Sequence, residues 1–91
     1  MINALLIKHT NLGFYIFALD RPVRILGIDN VSKIYVIQNS SDTLVIKFVD
    51  DSGIHHRGGD FITHDSRISL KSRMRLALLQ YRINIINYQD I

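Results

Sequence analysis

Residues 66–87 read SRISLKSRMRLALLQYRINIIN. They form the longest pattern in the chain free of Gly and Pro, and they hold five basic residues and no acidic one. Wound at about 100° per residue, Leu70, Met74, Ala77, Leu78, Tyr81 and Ile85 fall on one broad face, as on the core side of an amphipathic helix. Leu76, Leu79, Ile83 and Ile86 form a second apolar stripe, and Lys71, Arg75 and Arg82 a narrow basic ridge between the two. The pattern predicts a C-terminal helix over 66–87. A helix apolar on two sides needs two surfaces to pack against: its own sheet, and a second copy or a partner. The segment Ile83–Tyr88 (INIINY) also fits a terminal strand. No turn residue separates it from the helix before Asn84, so the reading is continued helix that frays near Asn87.

Upstream, the pattern changes to short alternating runs. Ala4–His9, Phe14–Leu19, Val23–Ile28, Lys33–Gln38 and Thr43–Val49 are rich in β-branched and aromatic residues and read as strands. Polar turns at Thr10–Gly13, Asp29-Asn30, Asn39–Asp42 and Asp50–Gly53 separate them, with Asp20-Arg21-Pro22 as a break. In Thr43–Val49, Leu44, Ile46 and Phe48 face one way, Val45, Lys47 and Val49 the other. Ile54–Arg57 and Asp60–Thr63 read as a hairpin on a Gly58-Gly59 primed turn, with Arg57 opposite Asp60, His55 opposite Ile62 and His56 opposite Phe61. Asp65, Ser66 and Ser69 are each competent to cap the helix that follows. The expectation is an α+β fold: an antiparallel meander of about six short strands, curved or partly closed, then one C-terminal helix. Without βαβ alternation a parallel sheet is not expected.

Ninety-one residues make one domain, 1–91. There is no Cys, hence no disulfide framework and no thiolate metal site. The amino terminus lacks a basic n-region, and the longest apolar run, Gly13–Leu19, is far below membrane-spanning length. The expectation is a soluble cytoplasmic protein with no membrane contact. All eight acidic residues are Asp, at home in turns. The net charge of +3 is uneven: residues 66–91 carry five basic residues against Asp90 alone. Apolar residues make up 47% of the chain, a surplus for a domain this small that points to association.

Four patterns carry candidate chemistry. His55, His56, Asp60 and His64, with Asp65, are residue types that bind metals or move protons. Yet His55 and His56 are neighbours in a strand and point to opposite faces, and no HExxH spacing is present; a polar rim is the better reading, with no catalytic or metal residue assigned. Gly58-Gly59 leads into strand-like DFIT and not into a helix, so it lacks the phosphate-cradle context. The basic set Arg67, Lys71, Arg73, Arg75 and Arg82 reads equally as a solvated face and as a surface for a partner or for nucleic-acid phosphates. Tyr15, Phe17, Tyr35 and Phe48 look like core and not like stacking platforms. The second stripe, Leu76, Leu79, Ile83 and Ile86, reads as an association surface for a homodimer or a larger protein.

Together these favour a small non-catalytic interaction module without cofactor. It is expected to be dimer-prone and to occlude or modulate another macromolecule as an inhibitor, immunity factor or accessory subunit. Direct nucleic-acid binding through the basic helix is the alternative, and a metal-dependent hydrolase or nuclease built on the histidines ranks last.

Overall fold

The computed structural model describes all 91 residues. Five strands follow one another along the chain: β1 Ile2–His9, β2 Phe14–Ile25, β3 Ile28–Gln38, β4 Thr43–Asp50 and β5 His55–Ile62. Each pairs antiparallel with the next. One helix, α1 (Leu70–Leu79), comes next, then β6 (Ile83–Ile85) and a terminal 3-10 turn, Tyr88–Asp90. The sheet order is β5-β4-β3-β2-β1-β6, curled as a half-barrel. No helix is long and apolar enough to cross a membrane.

Alternation decides the core. Phe17, Ile34, Val36, Leu44, Ile46 and Phe48 point to one side of the sheet and are fully buried. Met74, Ala77 and Leu78 descend on them from α1, as the helical period requires. Tyr81, just past the helix, meets the Phe48 ring edge-on at 5.1 Å. The helix begins at Ser69, whose hydroxyl accepts the Ser72 amide at 3.1 Å. Asp65 serves the turn before it, accepting the Arg67 amide.

Four expectations are corrected. The helix does not reach Asn87. It stops at Leu79, tightens through bonds from Tyr81 N to Leu78 O and Arg82 N to Leu79 O, and turns at Arg82 with φ 60°. Ile83–Ile85 then lies parallel to β1, Ile83 beside Ile2 and Ile85 beside Ala4. A strand's period of two sends both Ile83 and Ile85 into the core, at 0% and 5% exposure. A helix would have left Ile83 on the far stripe.

Secondly, Gly58-Gly59 is no turn. β5 continues through it against β4, with a bulge between the Lys47–Arg57 and Val45–Asp60 pairs, and neither glycine has the positive φ that a primed turn requires. His55 pairs with Val49 and His56 with Phe48, not with Ile62 and Phe61. The primed turn lies instead at Leu26-Gly27, where φ is 51° and 78° and Ile25 faces Ile28.

Thirdly, Asp20-Arg21-Pro22 does not end a strand. β2 carries it as an irregularity between the Ala18–Lys33 and Val23–Val31 pairs, where Pro22 owes no ladder bond. Finally, Asp29-Asn30 lies within β3, and Asn30 relaxes the strand with φ 57°.

The two sheet edges differ. On the β1 side, β6 covers Ile2 to Ala4, and the Asn87 side chain then stands in for a further strand residue. It accepts the Leu6 amide at 2.8 Å and donates to the Leu6 carbonyl at 3.0 Å. No element lies beyond β5.

Candidate binding surfaces

The histidine set does not converge. His55 faces outward on β5, edge-on to Tyr35 at 5.0 Å. His56 points to the opposite face and meets Asp50 at 2.9 Å. Asp60 accepts from Arg57 at 2.8 Å, and His64 lies 3.4 Å from Asp42. No three His or Asp side chains stand close enough to hold a metal ion.

Each carboxylate in this region already has donors. Hydrogen bonds, first from His56 and then from the Ile54 amide, hold the Asp50 carboxyl below its ordinary range. The Ser40 and Thr43 hydroxyls do the same for Asp42, and Arg67 for Asp65. A cleft of about 390 Å³ opens between the β3–β4 loop and the entry to α1, lined by Asp42, His64, Asp65 and Arg73 among others. Asp42 and Asp65 are bonded as above, and Arg73 Nη1 donates to the Ser41 carbonyl at 2.7 Å, while the buried Arg73 Nε has no hydrogen-bond partner.

The basic set also divides. Arg73 is 8% exposed and ties α1 to the β3–β4 loop. Arg67 is exposed and locked to Asp65 through two hydrogen bonds, at 2.9 and 3.0 Å. Lys71 and Arg75 do come together, on Tyr88: their charged ends lie 4.6 and 6.0 Å from its ring centre. Arg82 lies past the helix and shares a small cleft with Arg24. The proposed apolar stripe is dispersed likewise. Leu76 is 38% and Ile86 55% exposed, Leu79 is half-buried, and Ile83 is in the core. The four do not share one helix face.

A surface not assigned from the sequence emerges on the sheet. α1 covers one side only. On the other, cross-strand pairing lines up Lys8, Ile16, Tyr35, Lys47 and Arg57 in one row across five strands. Beside it run Leu5, Ala18, Lys33, Val49 and His55 on one flank, and Phe14, Ile37, Val45 and Asp60 on the other. Leu5 and Phe14 are 43% and 36% exposed. Lys8, Lys33 and Lys47 have no carboxylate within ion-pair distance, and Asp60, the acid in these three rows, is paired with Arg57. The outward positions of Val45, Lys47 and Val49 were readable from alternation. Their assembly with Lys8, Lys33 and Tyr35 needs the register of five strands.

No protein-family model, no curated protein and no solved structure matches the chain, so the functional reading rests on the geometry of its own surfaces.

Proposed function

We propose that the protein is a non-catalytic binding module that docks another macromolecule on the uncovered face of its sheet and acts by occluding it. The observation that supports this most is the mixed character of that face: exposed Leu5 and Phe14 and half-buried Ile16, Tyr35 and Ile37, set around buried Val45 and Val49, are interleaved with three lysines that lack a carboxylate partner. Apolar contacts there supply affinity, and unpaired cations select an acidic counterpart and speed encounter. Aliphatic residues outnumber aromatic ones, which favours a protein surface carrying Asp and Glu. The inhibitor, immunity-factor and accessory-subunit roles all fit such a mode of action.

The test uses the tagged protein as bait in extract of its native host. The partner retained by the wild type is expected to be lost by Lys33→Glu/Lys47→Glu and kept by Lys71→Ala/Arg75→Ala, both variants showing the wild-type circular dichroism. Identical retention by all three proteins would overturn the reading.

A second reading has one observation of its own. Lys71 and Arg75 flank the Tyr88 ring, the pairing of cation and aromatic that grips single-stranded nucleic acid. It requires that affinity for an unstructured oligonucleotide fall steeply between low and physiological salt. A flat salt profile in fluorescence anisotropy removes it.

A further inference from the structure

One sheet edge is closed by β6 and by Asn87, and the other is left open at β5. β5 has an unusual property: its pattern of facing is the same read in either direction. His55, Arg57, Asp60 and Ile62 point to the uncovered face, opposite Val49, Lys47, Val45 and Thr43. His56 and Phe61 point inward, opposite Phe48 and Leu44. Between them sit two glycines whose absent β-carbons both point inward, toward the Phe48 ring and the Tyr81 hydroxyl. The register shift between Val45 and Lys47 puts Arg57 and Asp60, three residues apart, on the same side.

We propose that β5 pairs antiparallel with β5 of a second copy about a two-fold axis between Gly58 and Gly59. Residues opposite each other in an antiparallel pair share a face. A regular strand can meet this condition only about a residue; the bulge allows it about the peptide between the glycines. Arg57 then lies opposite Asp60 of the second copy and Asp60 opposite its Arg57. His56 meets Phe61, His55 meets Ile62, which is 54% exposed in the single chain, and the centre holds no side chain. The Arg57–Asp60 contact within each chain is exposed, at 62% and 36% of the two side chains, so the same groups can turn to a neighbour. Charges and a bulge on an edge ordinarily discourage pairing with arbitrary strands. Here they discriminate in favour of another copy, which offers the opposite charge at both positions. The two-fold axis stands normal to the sheet, so the uncovered faces of both copies become one continuous surface. This inference concerns the edge and goes beyond the docking reading, which concerns the face.

Sedimentation equilibrium tests it with two variants, Arg57→Asp and Asp60→Arg. The wild type is expected to dimerise, and each variant alone to raise the dimer dissociation constant at least about tenfold through like charges. Each also loses the contact within its own chain. Mixed one to one, the variants restore opposite charges only between chains, so a heterodimer of wild-type affinity is the decisive result. A monomeric wild type, a dimer indifferent to both variants, or a mixture that stays monomeric would each overturn the proposal. Should a variant fold poorly, hydrogen exchange on the wild type serves: outward-facing β5 amides are expected to gain protection as concentration rises. Protection independent of concentration would count against the pairing.

Discussion

A β-carbon on Gly58 would lie 2.7 Å from Phe48 Cε2 and 3.1 Å from the Ile46 carbonyl oxygen. Phe48 is fully buried and cannot withdraw. Gly58→Ala is therefore expected to cost about 1–3 kcal/mol in urea denaturation, as overpacking does; Gly59→Ala, whose nearest neighbour is the Tyr81 hydroxyl at 3.5 Å, should cost much less. A Gly-Gly pair in sequence signals a turn because glycine tolerates positive φ; the demand here is for room, set by a ring ten residues upstream and invisible in local pattern. Asp50 gives a pH signature. Its carboxyl ordinarily titrates near 3.8 and is held lower by His56 and by two backbone amides. Between the two values the unfolded chain binds more protons. The stabilisation is full above the ordinary value and is lost as pH falls through the folded one. The urea midpoint should drop on acidification from about pH 5 to about pH 2, and Asp50→Asn should flatten part of that drop. Asp42 and Asp65 add slopes of the same sign.

At the scale of elements, the first half of the C-terminal stretch was legible and the second was not. Met74, Ala77 and Leu78 repeat at helical spacing and are the buried face of α1. Past Leu79 the sequence Gln80-Tyr81-Arg82 carries no Gly, Asn or Pro to announce a stop. The stop comes from tertiary pairing: Ile2 to Ala4 would otherwise be an unpaired apolar edge, and Ile83 to Ile85 supplies the missing neighbour. The local cost is Arg82 in left-handed backbone. Arg82→Gly should raise stability by up to about 1 kcal/mol, the strain being of order 1–2 kcal/mol less the entropy glycine adds to the unfolded chain. Asn87→Ala should remove both bonds to Leu6 and lower stability by about 1–2 kcal/mol, with loss of exchange protection at the Leu6 amide. The meander itself was legible, because β-branched alternation and polar turns are local signals. The Leu26-Gly27 turn escaped because leucine rarely takes φ 51°.

For the whole molecule, the class of fold follows from strand runs and one helix, while the candidate surfaces depend on register. Lys8 and Arg57 stand at the two ends of one row, though 49 residues apart in the chain. The basic set read as one binding surface because spacing along a sequence says nothing of depth; Arg73, displaced from the Lys71, Arg75 and Arg82 ridge, is the buried one. If the uncovered face binds an acidic partner, Lys33→Glu/Lys47→Glu should slow association more than it speeds dissociation, and added salt should reproduce that effect on the wild type. Surface plasmon resonance on the captured partner separates the two rates.

The parallel pairing of β1 with β6 also sets an order of events during synthesis. Leu6 waits for Asn87, 81 positions later, before its backbone groups are satisfied. The ribosome must therefore emit the 81 residues that follow Leu6 before the first strand has its full outer neighbour, and a nascent chain stalled before Ile83 would carry a bare apolar margin for chaperones to guard.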